Sequence, residues 1–228
     1  MTLKPPPQSI SRQHQAVSHS SSHPCITLPP NISEILCRDP RLIGFVAARH
    51  KFVAKILGGL DILEIGCQEG FGTMFVAPYV NSITCVDFYP PFVVGFQKYM
   101  APYLPNCKVQ QGDITQESFD GPFDGAFALD VLEHIDANEE HHFWVNICRS
   151  ITPKGTVIVG MPSLESQVYA SEASKLGHVN CKTGVDLKKS ASDFFSNVIM
   201  FSMNDEMLHN GYFPMSHYIL AVCSGKLK

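Results

Sequence analysis

The sequence lacks the long apolar run that a membrane span requires. A spanning helix needs about twenty predominantly apolar residues, and no stretch of this chain has that character. The N-terminal stretch also has no apolar core of the kind that a secretory signal carries. None of the 8 cysteines stands in a C-x-x-C pair, the spacing typical of zinc and redox centres. We therefore expect a cytoplasmic protein with reduced thiols and no membrane partner.

Clustered positive charge is equally scarce. The 17 Lys and Arg residues are outnumbered by 21 Asp and Glu residues, and the formal net charge is -4. Lys188 and Lys189 form only a pair, whereas a nucleic-acid surface needs concentrated basic residues. No nucleic-acid partner is expected. What the chain does contain is a hydrophobic share of 45% over 228 residues, which is enough to fill the core of one sizeable domain.

The composition changes after the first 30 residues. Residues 1–30 are rich in Pro, Ser and His and show no apolar period, so they bury too little surface to offset chain entropy and are predicted to form a disordered tail. Residues 31–228 are predicted to form a single domain. Its first element is an amphipathic helix, because apolar side chains recur at helical spacing from Leu42 to Leu57, polar residues 49–51 interrupt them, and two glycines follow.

Short β-rich runs alternate with helical stretches through the rest of the chain. This alternation implies crossover units and a parallel sheet covered on both faces, which is the α/β, Rossmann-like three-layer sandwich. The last two runs have no crossover helix between them, which favours an antiparallel pair at one edge. The predicted strands are 61–67, 82–88, 107–112, 123–129, 155–161, 198–203 and 218–223, and the predicted helices are 72–79, 92–103, 139–151 and 186–195.

A glycine-rich corner follows the first predicted strand, in the segment "ILEIGCQEGFGT". Gly66 and Gly70 permit positive φ and close approach of a ligand to the backbone. The spacing differs from the G-x-G-x-x-G of dinucleotide-binding dehydrogenases. Glu64 stands two positions before the first glycine, where its carboxylate would repel a pyrophosphate and attract an ammonium or sulfonium group. The corner therefore favours S-adenosyl-L-methionine over a nicotinamide dinucleotide.

Acidic residues also end the next two strands. Asp87 stands 21 residues after Gly66, where a carboxylate can accept both hydroxyls of a ribose. Asp113 follows the third strand and is suited to accept from an adenine amino group. Each feature alone has an ordinary explanation, as a tight turn, a helix cap or a turn residue. Their order and spacing together indicate a nucleoside site.

These segments resemble the class I S-adenosylmethionine-dependent methyltransferases, of the broad small-molecule group that includes the ubiquinone-biosynthesis O-methyltransferases. The resemblance spans roughly residues 56–163. It rests on "ILEIGCQEGFG", "CVDF", "QGDIT", "FDGAFALDVLEHI" and "ITPKGTVIVGMPS". It implies a seven-stranded, mostly parallel sheet with an antiparallel last strand. The cofactor-binding residues are then expected to be Glu64, Gly66, Gly70, Asp87, Phe88, Asp113, Ile114 and Asp130.

One position departs from the family pattern. Relatives usually carry glycine where this chain has Gln68, and a side chain with a Cβ disfavours positive φ. The cradle around the methionine part of the cofactor is therefore expected to differ locally.

The segment after the fourth predicted strand offers groups for acid–base chemistry. Asp130, Glu133 and His134 would share a face if the chain turns helically there. His134 is the first choice as general base, with Glu133 beside it, because an imidazole titrates near neutrality. The alternative is that both residues only brace the next helix. The resemblance adds a third interpretation, because some relatives hold Mg²⁺ with an acidic residue followed by Glu-His, and Asp130, Glu133 and His134 match that pattern.

Two polar segments are predicted to build the acceptor pocket. The first is an insertion near residues 163–185 with Tyr169, His178 and Asn180, and a loop of that length in a compact domain is usually functional or disordered. The second precedes the last strand and contains Asn204, Asp205, Glu206, His209 and His217. Its alternative interpretation is a solvated hairpin tip.

Three functions follow in order of preference. The first is transfer of a methyl group from S-adenosyl-L-methionine to a small-molecule acceptor, as an O-methylation. The second is a regulatory module that binds the cofactor without turnover, which the departure at Gln68 favours. The third is a nicotinamide-dependent oxidoreductase. The oligomeric state does not follow from the sequence.

Overall fold

A computed structural model of the protein describes residues 26–227. They form one eight-stranded sheet in the order β3-β2-β1-β4-β5-β8-β6-β7. The strands are β1 Asp61–Ile65, β2 Ser82–Asp87, β3 Cys107–Gln111, β4 Phe123–Leu129, β5 Ile151–Pro162, β6 Phe195–Asn204, β7 Met207–His209 and β8 Tyr218–Lys226. The α-helices are α1 Pro30–Arg38, α2 Arg41–Ile56, α3 Thr73–Val76, α4 Pro90–Tyr99, α5 Glu140–Ser150, α6 Glu172–Gly177 and α7 Gly184–Ser192.

Strands β1 to β5 pair in parallel and confirm the predicted α/β architecture. Parallel strands place their carboxyl ends at one edge of the sheet, and a ligand site forms there when neighbouring crossovers diverge. The divergence lies between β1 and β4, because the chain runs outward from β1 through β2 to β3 and then returns to β4 on the other side. The segments after β1, β2 and β4 therefore meet at the same edge.

The carboxyl-terminal strands contain the antiparallel pairing that the sequence predicts. Strand β8 lies between β5 and β6 and is antiparallel to both. The sheet has eight strands where seven are expected, because the short strand Met207–His209 folds back on β6. Asp205 has a φ of 57°, and this left-handed residue allows the tight return.

The core has two layers, one on each face of the sheet. Successive strand residues point to opposite faces, so Ile62 belongs to the layer under α2 and α4, whereas Leu63 belongs to the layer under α5 and α7. Phe96 and Trp144 are fully buried in the first and second layers respectively. Burial of one such side chain contributes roughly 1.5–3 kcal/mol, so the two layers together hold the parallel sheet between helices.

The N-terminal region contains one helix that was expected and one that was not. Helix α2 confirms the predicted amphipathic helix. Helix α1 was not predicted, because only Pro30 falls in the predicted tail and residues 31–38 were assigned to the domain without an element. Proline at the first helical position is favourable because its missing N–H would have had no partner there. Residues 1–25 of that predicted tail lie outside the described residues. Within residues 26–227 no helix has the length and apolar character to cross a membrane.

Candidate functional site

The glycine corner between β1 and α3 has the backbone that the sequence predicts. Gly66 has a φ of 75° and Gly70 a φ of 83°. A Cβ on Gly66 would lie 2.3 Å from Val131 Cγ2, and one on Gly70 would lie 2.5 Å from the Phe96 ring. Both positions therefore require glycine for conformation and for space. Gln68 also has positive φ, at 49°, so the turn accepts a side chain in a region that usually costs about 1–3 kcal/mol.

A cavity of about 560 Å³ opens beside this corner. One wall is apolar and comes from α1 and α2, through residues such as Ile32, Ile35 and Phe45. The other wall is more polar and comes from the glycine corner, the end of β4 with the turn after it, the segment after β5, and the stretch between the end of β6 and the start of β8. The size and the mixed lining are those of a small-molecule site.

Glu64 lies at the glycine-corner end of this lining and is 3% exposed. Its carboxylate accepts a hydrogen bond from Thr73 Oγ1 at 2.7 Å and from the Cys85 thiol at 3.4 Å. Burial raises the pKa of Glu64 to about 7, although the Thr73 hydrogen bond acts in the opposite direction. A cationic group placed beside Glu64 would favour the ionised carboxylate.

Asp87 is bonded to the glycine corner rather than exposed in the cavity. One carboxylate oxygen accepts from the Gln68 backbone N–H at 2.9 Å, and the other accepts from the Tyr89 N–H at 2.9 Å. Burial raises the pKa of Asp87, and the two backbone donors partly offset that rise. The next residue, Phe88, is 68% exposed. Asp87 and Glu64 therefore both contact the corner, but only Glu64 is part of the cavity lining.

Asp113 and Ile114 lie further along the same edge and do not line the cavity. The Asp113 carboxylate accepts from the Thr115 N–H and hydroxyl at 2.9 and 2.8 Å, so it caps its own turn. Ile114 is 4% exposed and packs in the core, while its carbonyl accepts from Asn146 Nδ2. Their predicted contact with the adenine stays a prediction.

Asp130 directly follows β4, has a φ of 57° and lines the cavity. Both of its carboxylate oxygens lie 2.8 Å from Nη1 of Arg49 on α2. The Arg49 guanidinium also donates from Nε to the Phe45 carbonyl and lies 4.3 Å from the centre of the Tyr218 ring. Sequence reasoning missed Arg49, because a charged residue in an amphipathic helix is ordinarily solvated. The sequence signal was the run of three polar residues at positions 49–51 in an otherwise apolar helix.

Glu133, His134 and His178 come together at the polar end of the cavity, with one ligand-type atom from each within 4.8 Å of the others. His134 Nδ1 lies 2.8 Å from the Gly177 carbonyl oxygen, and His178 Nδ1 lies 2.8 Å from Gln167 Oε1. Since those oxygens only accept, each Nδ1 carries a proton, and in the neutral ring the lone pair is then on Nε2. The predicted pair Glu133 and His134 is therefore joined by a histidine from the insertion.

The Glu133 carboxylate is buried, and neither oxygen has a hydrogen-bond partner among residues 26–227. Burial raises the pKa of Glu133 well above its usual range, and the nearby Asp130 charge adds to the rise. The Glu133 carbonyl, in contrast, accepts from the N–H groups of Val179 and Asn180 at 2.8 and 3.0 Å. Those two bonds attach the His178 segment to the turn that carries Glu133.

These three residues fit a divalent cation, although not with the predicted set of ligands. The set Asp130, Glu133 and His134 is not supported, because Asp130 does not belong to the group whose ligand atoms lie within 4.8 Å of one another, and both of its oxygens face Arg49 Nη1 instead. His178 takes the third position. The unpartnered carboxylate and the two imidazoles suit a metal site, because each Nδ1 is bound to an oxygen acceptor that orients its ring. Two nitrogen ligands suit zinc or iron better than Mg²⁺, which prefers oxygen.

The other predicted acceptor residues do not line the cavity. Tyr169 is 82% exposed. Asn180 donates to the Glu140 carboxylate at 3.0 Å, Asn204 accepts from the His217 N–H at 3.0 Å, and His209 Nδ1 lies 3.1 Å from Ser202 Oγ. Their role in acceptor binding stays a prediction. Asp205 and His217, from the second predicted segment, do line the cavity. Polar lining residues that were not predicted for this role include Arg49, His50, Ser174 and Tyr218.

Comparisons with known proteins agree on the domain type. A family model described as a methyltransferase domain matches residues 62–155. The ubiquinone biosynthesis O-methyltransferase of Rickettsia akari (strain Hartford) is 24% identical over 114 residues, which are 50% of this chain and 45% of that protein. This chain therefore matches less than half the length of that relative.

Solved structures with the same fold include two that contain S-adenosylhomocysteine. A DhpI–SAH complex aligns with a TM-score of 0.61 at 14% identity, over 96% of this chain and 95% of that one. The N-methyltransferase NodS from Bradyrhizobium japonicum WM9, in complex with S-adenosylhomocysteine, aligns with a TM-score of 0.60 at 18% identity, over 78% of this chain and 85% of that one. At these identities the likeness shows the fold.

Proposed function

We propose that this chain, which belongs to the class I S-adenosylmethionine-dependent methyltransferase family, transfers a methyl group from that cofactor to a hydroxyl oxygen of a small molecule. The observation that carries the proposal is one cavity whose lining joins Glu64 of the glycine corner to Glu133, His134 and His178. A methyl donor and an acceptor hydroxyl have to meet in a single enclosed space, because alignment and exclusion of water supply much of the rate.

The glycine corner is the proposed site of the cofactor. Glu64 would face the ammonium group of the methionine part, and the backbone at Gly66 and Gly70 would allow close approach. Asp87 would accept from the ribose hydroxyls through lone pairs that its two backbone donors leave free, since a carboxylate has about four acceptor sites. When bound, the cofactor supplies an electrophilic methyl group on a sulfonium.

The histidine cluster is the proposed site of the acceptor hydroxyl. His134 Nε2 has its lone pair free because Nδ1 is bound to the Gly177 carbonyl, so it is able to accept the hydroxyl proton as a general base. The apolar wall from α1 and α2 would cover the rest of the acceptor and keep water out. Glu133 would stay beside His134 and orient the incoming hydroxyl.

The same cluster is also proposed to hold a divalent cation through Glu133, His134 and His178. A bound cation would lower the pKa of the acceptor hydroxyl and orient it. In that case His134 is a ligand and not the base. The two roles of His134 are distinguished by chelation, because removal of metal abolishes activity only if a cation is needed.

A cytoplasmic location and small-molecule acceptors, without nucleic-acid or membrane partners, complete the proposal. The cysteines within residues 26–227 are free thiols, as expected in a reducing compartment. The net charge of -4 offers no general attraction to phosphate backbones.

Calorimetric titration tests the cofactor assignment. S-adenosylhomocysteine should bind saturably, and Asp87→Ala should weaken binding at least tenfold because the ribose hydroxyls lose their acceptor. Asp124→Ala, an exposed aspartate on β4, is the matched control and should bind like the wild type. Tight binding of NAD with no binding of S-adenosylhomocysteine would overturn the proposal.

Mass spectrometry of a panel of hydroxylated acceptors tests the reaction. A mass gain of one methyl group on an acceptor, dependent on cofactor, is the expected result. Cofactor binding with no methylated product across the panel would instead support the regulatory module that binds without turnover.

A further inference from the structure

We propose that Arg49 determines which cation the histidine cluster accepts, because its guanidinium neutralises Asp130 and leaves Glu133 as the only carboxylate in reach of a metal. This inference rests on the proposed function of the cluster as a cation site. It concerns a residue of α2, which lies outside the segment 62–155 matched by the methyltransferase domain.

The position of Arg49 is held by three contacts. Its Nη1 lies 2.8 Å from both Asp130 oxygens, its Nε donates to the Phe45 carbonyl, and its guanidinium lies over the Tyr218 ring at 4.3 Å. Its side chain is 14% exposed, against 34% for Asp130. An arginine bound on three sides and largely buried does not swing away as a surface arginine does, so Asp130 remains paired.

Asp130 is the residue that the cluster would otherwise use. It stands three positions before Glu133, and both side chains line the same cavity. The three cluster residues have ligand atoms within 4.8 Å of one another, and Asp130 is not part of that group. Asp130 is thus a fourth candidate ligand, kept outside the set by its ion pair.

The charges then decide the type of cation. When a bound cation has ionised Glu133 and Arg49 is present, the two carboxylates and the guanidinium sum to a single negative charge, and the available ligands are one carboxylate and two imidazoles. That set suits a transition metal and disfavours Mg²⁺, which prefers oxygen ligands. Without the guanidinium, the set would be two carboxylates and two imidazoles, with one more negative charge facing a divalent ion.

The test measures binding of Mn²⁺ and Mg²⁺ alone, with neither cofactor nor acceptor, by electron paramagnetic resonance of free Mn²⁺ and by calorimetry. The variant Arg49→Met should bind both ions at least tenfold more tightly than the wild type, with the larger gain for Mg²⁺. Arg49→Lys keeps the positive charge and should bind like the wild type. A role of Arg49 that is merely structural predicts the opposite sign, since a loosened site binds metal less well.

The double variant Arg49→Met/Asp130→Asn removes both charges of the ion pair. It also guards against misfolding of the single variant, which leaves a half-buried carboxylate unpaired. Its affinity should return to within threefold of the wild type. An unchanged or weakened affinity in a folded Arg49→Met protein, or a tenfold loss in the double variant, would overturn the inference.

A further arm separates this inference from the function on which it rests. The variants Glu133→Gln and His178→Asn should each bind Mn²⁺ at least tenfold more weakly than the wild type. If neither does, the cluster is not a cation site and both proposals about metal fail, while the cofactor titration and the methylation assay still report on the transferase function.

Discussion

The buried carboxyl of Glu64 should make the free energy of unfolding depend on pH. Its pKa is raised from 4.5 to about 7 because the side chain is buried. Between those two values the folded state binds a proton that the unfolded state has released. The free energy of unfolding therefore falls as pH rises through this window. The variant Glu64→Gln removes the titration while its side-chain amide oxygen can still accept from Thr73.

The magnitude follows from the size of the pKa difference. One pKa unit corresponds to about 1.4 kcal/mol, so Glu64 should lower the stability of the wild type by about 3 kcal/mol at alkaline pH. Between pH 5 and 8 the expected loss is roughly 2.5 kcal/mol, since the unfolded state is already partly ionised at pH 5. Because Glu64 is 3% exposed, solvent screening does not reduce this figure much.

Urea denaturation at several pH values measures the effect. The free energy of unfolding of Glu64→Gln should exceed that of the wild type by an amount that grows by roughly 2–3 kcal/mol from pH 5 to pH 8. Glu117→Gln, an exposed carboxylate, is the matched control, and its difference from the wild type should not change with pH. A constant difference between Glu64→Gln and the wild type would refute the reasoning.

The cofactor should reverse part of this effect. An ammonium group beside Glu64 favours its ionised form, so binding of S-adenosylhomocysteine near pH 6 should release a proton from Glu64. Calorimetry in buffers with different ionisation enthalpies measures that release, and Glu64→Gln should lack it. Proton uptake by the wild type would show that the cofactor amine does not lie beside this residue.

Two packing predictions complete the set. Gly70→Ala should lower the free energy of unfolding by at least about 2 kcal/mol and abolish cofactor binding, since the new Cβ meets the Phe96 ring. Gly59 also has positive φ but open space around it, so Gly59→Ala should lower the free energy of unfolding by only about 1 kcal/mol. Equal losses of stability in the two variants by thermal denaturation would contradict the role of Phe96. Phe143→Ala should cost about 3–5 kcal/mol because Phe143 is fully buried, while its exposed neighbour His142→Ala should stay within about 0.5 kcal/mol by urea denaturation.

The fold was largely predictable because its signals are local. The predicted strand 123–129 coincides with β4, and the other predicted strands overlap observed ones. Strand β5 begins at Ile151, four residues earlier than predicted, and its pairing with β4 changes register between Phe123 and Gly125, so its first residues do not continue the regular ladder. The eighth strand, Met207–His209, is three residues long and is defined only by its pairing with β6. Three residues are too few for an alternation of apolar and polar side chains to be recognised in the sequence.

The two halves of the candidate site differ in how far the sequence predicts them. The cofactor half lies on one corner, where Glu64, Gly66 and Gly70 are close in the sequence and glycine spacing is informative. The acceptor half joins three separate segments, which carry Arg49, the turn after β4, and His178. Arg49 and its partner Asp130 alone are 81 residues apart. Spatial proximity of such segments depends on tertiary packing, and a single sequence contains no signal for that proximity.

The polar run at positions 49–51 shows why burial cannot be inferred from residue type. In an amphipathic helix these residues would face solvent. In the structure Arg49 pairs with Asp130, and His50 packs so closely that a Cβ on Gly72 would lie 2.1 Å from its Nε2. Burial lowers the pKa of His50 to about 4, so His50 is neutral and fills space.

The two buried glutamates, Glu64 and Glu133, give the cavity a common physical character. Burial raises the pKa of both carboxyls, so the charged form of each is costly without a cationic partner. A ligand ammonium beside Glu64 and a metal ion beside Glu133 would each offset that cost. A protein that only filled its core would place apolar residues at both positions, because an apolar side chain of similar size carries no desolvation cost. The stability lost at these two sites is therefore consistent with a cavity built to receive positive charge twice.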